Sequence, residues 1–469
     1  MRKTALQAAI ILLLCGTAAA GTDPRLDKSY REDKAGWIFV HLEGTADQIG
    51  FQHGYLLAPE IDDALKAMEF YLKVGSKKDW SFFRDAARKM FWPKLDKEYQ
   101  EEIEGIVEGL AAKGKNYDRY DITALNGWME LDQYYLPMLK AKRIKGADDN
   151  SSPGNCSAFI ATGSYTSDGK IVMGHNSWVD YLVGERWNIV ADIVPKNGNR
   201  IMMDTFPGFI HSGDDFVETS AGILITETTI AQFKGFDTEG VPEFDRARKA
   251  EQYASSIDDF VRIMTTGNNG AYANDWLIGD TKTNEIARLE LGLKHYKVWK
   301  TKDGYYVGSN FPCDPQVIKD ETTYKIDNKK SSMNARRARW EELMERDKGK
   351  IDAEEGKAFE ADHFDATEGK DFSGGCALCG HVDEDPRGVR QWGWKPFFPG
   401  GAVQGKVTTS VLASKLQFWA HMGHPCGDDF IASKFFKEHP QYSWESKYLH
   451  DMKSYPWALF TAKDQEGKL

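Results

Sequence analysis

The sequence predicts an α+β protein on three observations: apolar residues at helical spacing through its first part, a polar loop at 140–154, and short strand-like runs joined by turns beyond it. Residues 1–20 read as an export signal, with Arg2 and Lys3, an apolar run over 5–14, and the small residues Ala18, Ala19 and Ala20. That run is too short to span a bilayer, and Leu14 before Cys15 does not suit a lipid-attachment site, so soluble export is expected. A strand is predicted over 37–42. Residues 45–74 then place Ala46, Ile49, Leu56, Ile61, Leu65 and Met68 on one helical side, and 98–110 and 120–136 continue the pattern. The loop at 140–154 gathers Lys, Asp, Asn, Ser, Pro and Gly, which makes it accessible to cleavage. Strands are expected at 157–162, 170–174, 187–194, 200–206 and 222–226, and helices at 242–254 and 257–265. Turn residues at 281–284 and 302–304 predict successive antiparallel hairpins over 275–280, 285–291, 294–300 and 305–308. A charged helix follows at 334–347, and 348–400 mixes acidic residues with Gly, Trp and Pro.

At 469 residues the chain can bury a substantial core. A formal net charge of -11 with no basic run argues against nucleic acid as a partner. Of six cysteines, Cys15 leaves with the signal, so Cys156, Cys313, Cys376, Cys379 and Cys426 remain. Five is odd, and in an oxidising compartment at least one thiol then stays outside a disulfide.

Cys156 is the candidate for that thiol. It opens a predicted strand directly after the flexible loop, in the run Asn155-Cys156-Ser157-Ala158-Phe159-Ile160. An N-terminal nucleophile needs this arrangement. The thiol attacks the carbonyl of Asn155, water hydrolyses the thioester, and the freed α-amine, with a reference pKa of about 8, serves as base without a separate histidine. By position alone, burial as a small core residue is the commoner fate of a cysteine.

The surrounding pattern changes that balance. Cys156-Ser157-Ala158-Phe159, His175-Asn176-Ser177-Trp178 and Glu227-Thr228-Thr229-Ile230, in that order and spacing, resemble the phospholipase B-like family of N-terminal-nucleophile hydrolases. Gly270 to Leu277 and Gly308 to Pro312 resemble later family segments, and Arg336 or Arg337 opens a helix where that family has an arginine, so the likeness covers roughly 155–345. Gly50-Phe51-Gln52-His53-Gly54 and Gly423-His424-Pro425-Cys426 look more like the penicillin acyltransferase-type cysteine peptidases, which share fold and nucleophile logic. Asp275 departs from the glutamine usual at its place in the phospholipase B-like family.

The resemblance implies a four-layer αββα sandwich, split after an α-rich fragment (21–155) into a catalytic fragment (156–469) that begins at Cys156 and stays associated with the first. Asn155 and Cys156 form the cleavage site. Oxyanion stabilisation needs preorganised amide donors, for which Asn274 is the first candidate and Asn176 the second, the latter for oxyanion binding or orientation. His175 is expected to orient the amine or bind substrate, and Thr228 to bring a hydroxyl near the nucleophile. Trp178 is expected to wall an acyl cleft, and Arg336 or Arg337 to meet a carboxylate or phosphate. For each, a packing or capping role is the bland alternative.

Cys376, Cys379 and His381, with His421, His424 and Cys426, have ligand-like spacing, but one Cys-x-x-Cys without a well-spaced partner pair is weak evidence. Disulfide pairing is the favoured use of these cysteines in an exported protein, so no metal and no cofactor are expected. Sequons at Asn150 and Asn155 crowd the proposed cut, and their scarcity favours a bacterial periplasmic over a lysosomal protein; the expected setting is periplasmic or secreted, or lysosomal in a eukaryote. The expected partner is a small acylated amide or lipid ester, with transient membrane contact. The rivals are a zinc-dependent hydrolase built on the carboxy-terminal Cys/His cluster and a non-catalytic binding protein on the same fold.

Overall fold

The computed structural model describes residues 23–143, 156–213 and 216–463. The expected export signal, Asn155 and most of the predicted loop lie outside the described residues. The described chain opens with β1 (Tyr30–Lys34), β2 (Trp37–Gly44) and the helices α1 (Ala46–Leu56), α2 (Ala58–Ser76) and α3 (Lys97–Ala112). Past Cys156 come β3 (Ser157–Thr162), β4 (Val172–Asp180), β5 (Ile189–Pro195), β6 (Ile201–Thr205), β7 (Val217–Thr219) and β8 (Ile223–Thr229). Helices α4 (Glu243–Tyr253) and α5 (Ile257–Thr265) lead to β9 (Asn274–Asp280), β10 (Glu285–Leu291), β11 (Tyr296–Thr301) and β12 (Gly304–Gly308). Beyond α6 (Ser332–Arg346) and α7 (Ala353–Glu360), a small ribbon of β13 (Phe364–Asp365) and β14 (Lys370–Asp371) precedes β15 (Gly400–Thr409), β16 (Gln417–Met422) and β17 (Ala458–Thr461).

Local chemistry sets these boundaries. Thr45 and Gln48 form a reciprocal capping box that starts α1. The single helix expected over 45–74 divides at Leu57 because Pro59 lacks an N–H and disfavours helix in the residues before it. Gly50 and Gly54 of α1 face Gly105 and Gly109 of α3, and a methyl at any of them would run into the opposing backbone. The amino-terminal Gly-Phe-Gln-His-Gly run is thus a helix-crossing device, with buried His53 accepting the Gly208 N–H through Nε2 at 3.0 Å.

The strands form a nine-stranded sheet in the order β1-β2-β5-β6-β7-β8-β9-β10-β11 and a six-stranded sheet in the order β12-β3-β4-β15-β16-β17. Phe39, Val190, Met202, Leu224 and Leu277 of the first meet Ala158, Ile160, Met173, Phe418 and Phe460 of the second in one apolar layer. The outer face of the large sheet packs on the amino-terminal helices with α4 and α5, and that of the small sheet on α6 and α7, completing the αββα order. One expectation needs correction. The meander runs only through β9, β10 and β11, since β12 crosses to pair with β3 in the other sheet. The strand expected over 37–42 is β2, which pairs in parallel with β5, so residues on both sides of the 155/156 junction share one sheet.

Candidate active site

Cys156 stands immediately before β3, which lies between β12 and β4. It is buried, and its φ of 79° lies in the left-handed region that few non-glycine residues adopt. One ligand-type atom each of Cys156, His175 and Glu227 lie within 4.8 Å of one another. Register explains the first pair, because Ala158 sits opposite His175 in the β3–β4 ladder. Glu227 arrives from β8 of the other sheet, so the thiol lies where the two sheets meet.

His175 is fully buried, and its Nδ1 lies 3.3 Å from Ser177 Oγ. The Lys406 ammonium, opposite His175 in the β4–β15 ladder, donates to that same hydroxyl and reaches Asp204 Oδ2 at 3.1 Å. Burial first, and then the Lys406 charge, hold the imidazole well below the ordinary histidine range. Both effects favour the neutral imidazole.

The choice between Arg336 and Arg337 is resolved by helix geometry. Arg336 is fully buried and donates through Nη1 to the Cys156 carbonyl at 2.6 Å and to Ser157 Oγ at 2.9 Å. Its Nη2 donates to Asn310 Oδ1 at 2.8 Å, and its Nε to Ser332 Oγ at 3.1 Å. The guanidinium lies 4.7 and 5.2 Å from the ring centroids of Trp178 and Trp392, two indoles that meet edge to face. Among the described residues no carboxylate pairs with it. Arg337, by contrast, points outward to Glu341 at 2.8 Å.

Trp178 is buried rather than exposed along a cleft: its indole N–H donates to the Leu378 carbonyl at 3.0 Å, and bare Gly380 packs against its ring. Asn176 donates both amide hydrogens to backbone, to Glu360 O at 2.9 Å and Leu378 O at 3.0 Å. Its donors are thereby occupied, which favours positioning over oxyanion binding. Asn274 differs. It is fully buried opposite Thr229, on the face of the β8–β9 ladder that Glu227 shares, and neither Oδ1 nor Nδ2 has a hydrogen-bond partner among the described residues. Thr228 points to the other face, against bare Gly308 of β12, where a methyl would collide with its hydroxyl. Asp275, the departure noted in the sequence, is matched by a buried pair with Arg288, whose Nε donates to Oδ1 at 2.9 Å.

Sequence reasoning assigned no role to Glu227 or Asn310, although both lie inside segments it singled out. A cleft of about 260 Å³ opens beside the site, lined among others by Ser332, Cys376, Arg387 and Gln391, and Ser332 is the hydroxyl that Arg336 holds. Of the residues weighed for a metal, Cys379, His381 and Cys426 come together with His363, which the sequence did not suggest. Cys376 lies in the cleft wall instead, while His421 bonds to His424 O and Ser454 Oγ and His424 to Ala402 O. No described helix is long and apolar enough to cross a membrane.

Residues 66–457 match the family model described as Phospholipase B, a wider span than the sequence segments suggested. An uncharacterized protein of Archaeoglobus fulgidus is 26% identical over 302 residues, covering 59% of this chain and 48% of that protein. Phospholipase B of Crotalus adamanteus is 24% identical over 324 residues, 57% of each chain. Putative phospholipase B-like 2 of Homo sapiens is 31% identical over 147 residues, 28% of this chain and 24% of the human protein. The chain spans about half the length of the curated relatives it matches. Among solved structures, a variant of conjugated bile acid hydrolase from Clostridium perfringens is similar with a TM-score of 0.33 at 14% identity, over 56% of this chain and 89% of that one.

Proposed function

This chain belongs to the Phospholipase B family, and from that premise we propose that it is an exported, self-processing hydrolase whose thiol nucleophile is Cys156. The observation that carries the reading is the setting of Cys156: a strained residue leading an interior strand, its carbonyl gripped by Arg336, its thiol beside His175 and Glu227. In the first step Sγ attacks the Asn155 carbonyl, the peptide C–N bond breaks as the nitrogen takes a proton, and water hydrolyses the thioester to leave Asn155 as an acid and Cys156 with a free amine. In turnover that amine accepts the thiol proton as Sγ attacks the substrate carbonyl, and returns it to the leaving group. Water then releases the acid from the thioester.

Asn274, whose buried amide has no hydrogen-bond partner among the described residues, is the donor that meets the oxyanion. Arg336 anchors the nucleophile's own carbonyl and lends positive charge to the anionic thiol. Asn176 and Trp178 act from behind, tying β4 to the Leu378 carbonyl. The parallel pairing of β2 with β5 supports two fragments that stay together after the cut. The substrate is an acyl ester or amide, with phospholipid esters favoured by the family's name and by the Crotalus relative; transient contact with lipid surfaces and a periplasmic, secreted or lysosomal setting accord with that substrate.

Intact mass and amino-terminal sequencing of the purified protein beside Cys156→Ala test the processing step. A wild-type fragment beginning at Cys156, absent from the variant, is expected. If the wild type yields no such fragment, self-processing is refuted. Where the fragment forms, hydrolysis of phospholipid and acyl-amide substrates by the cleaved protein separates ester from amide preference.

A further inference from the structure

Three separate segments bring four soft or borderline ligands to one point: His363 follows α7, Cys379 and His381 lie between β14 and β15, and Cys426 follows β16. One ligand atom from each lies within 4.8 Å of all the others. Cys379 Sγ is 3.6 Å and Cys426 Sγ 3.4 Å from His381 Nε2. A tetrahedral zinc ion with Zn–S near 2.3 Å and Zn–N near 2.05 Å sets its sulfur and nitrogen ligands about 3.5 Å apart. Both recorded edges fit that figure. His363 Nε2 is buried and has no hydrogen-bond partner among the described residues, although this histidine sits in a polar cluster.

We propose that His363, Cys379, His381 and Cys426 bind a structural zinc ion. Two thiolates and two imidazoles suit zinc and not a hard cation such as calcium or magnesium. Four protein ligands leave no open position, which marks a closed structural site and not a hydrolytic one, so the zinc-hydrolase rival gains nothing from it. The role follows from what flanks Cys379. Leu378 O receives the Asn176 amide and the Trp178 indole, Gly380 packs under the Trp178 ring, and the Cys379 N–H bonds to Asp362 O at 2.9 Å. The ion pins the loop that backs β4, and through Trp178 the guanidinium that grips Cys156.

The test is metal analysis of the full chain purified after export, beside Cys426→Ser, His363→Ala and Cys376→Ser. About one zinc per chain is expected in the wild type and in Cys376→Ser, with the stoichiometric zinc lost in the other two. His363→Cys keeps a zinc-competent donor and should retain the metal, which separates lost ligation from lost folding. Cobalt exchanged into the wild type should give the visible absorption of a tetrahedral thiolate site. The proposal is overturned by wild-type protein holding zinc well below one per chain, by Cys426→Ser retaining it in full, or by non-reducing peptide mapping that finds Cys379 in a disulfide.

Discussion

Replacing Asn274 with alanine should lower activity without lowering stability, and the two effects can be sized separately. The side chain is fully buried, with both amide atoms lacking hydrogen-bond partners among the described residues. Leaving a buried polar group unsatisfied costs about 1–3 kcal/mol. Truncation removes that cost and leaves a void of roughly 40 Å³, worth about 1 kcal/mol at ~24 cal/mol per Å³. The balance lies between about 0 and 2 kcal/mol in favour of the variant. In the reaction the same amide is asked to meet an oxyanion, and loss of one such donor costs about 2.7–4 kcal/mol, or 10²–10³ in kcat. Denaturant unfolding and single-turnover hydrolysis of an activated acyl ester, both on processed protein, read the two quantities. A variant that is about 2 kcal/mol less stable and as active as wild type would refute the argument, because Asn274 would then be an ordinary structural amide.

Other substitutions bear on the same machinery. Arg336→Lys keeps the charge but loses the planar fork that spans Cys156 O, Ser157 Oγ and Asn310 Oδ1; a time course of fragment formation should slow by about tenfold or more, one charge-assisted hydrogen bond being worth ~1.5–3 kcal/mol. His175→Ala should slow self-cleavage more than it slows turnover of already cleaved protein, measured by comparing fragment formation with ester hydrolysis after purification of the cleaved form. Two sets of buried groups pull stability in opposite directions as pH changes. Burial pushes Glu130 and Glu251 up to about 7, so above pH 5 the unfolded chain binds fewer protons than the fold and stability falls as pH rises towards 8, by at most about 3 kcal/mol per group. Burial also lowers His53 to about 4 and His211 to about 3, so stability falls again as pH drops below the ordinary histidine value. Thermal midpoints at pH 4, 6 and 8 check both arms, and Glu130→Gln should flatten the alkaline one.

Strands were legible where a short run is buried on both faces between turn residues, as at Ser157–Thr162 and Glu285–Leu291, whose bounds match the expected ones. It could not say which sheet a strand joins. β11 and β12 are neighbours in sequence with a turn between them, yet the edge beside β3 is the one β12 occupies. Helical spacing did hold the answer for the arginines: Arg336 lies on one stripe with Trp340, Leu343 and Met344, all buried, whereas Arg337 stands beside exposed Glu341. Glu227 and His363 were hidden for another reason. Their partners come from distant strands and loops, and a carboxylate or imidazole gives no local pattern that announces such a meeting. Asn176 shows the converse, because the motif drew attention to an amide that three-dimensional packing spends on two backbone carbonyls.

The base that serves Cys156 follows from the same electrostatics. His175 is the imidazole at hand, but turning it into an imidazolium would place a second buried positive charge opposite Lys406, and burial together with that lysine already holds it neutral. Such a group is a poor match for moving a thiol proton at neutral pH, where an acceptor with a pKa near the working pH is most effective. An α-amine with a reference value of about 8 is better matched, and it exists only once the chain has been cut before Cys156. In the proposed mechanism self-cleavage therefore proceeds with weaker assistance from His175 and Glu227, whereas turnover has the stronger base. A slow processing step that happens once, followed by faster catalysis, is the kinetic order the proposed mechanism predicts.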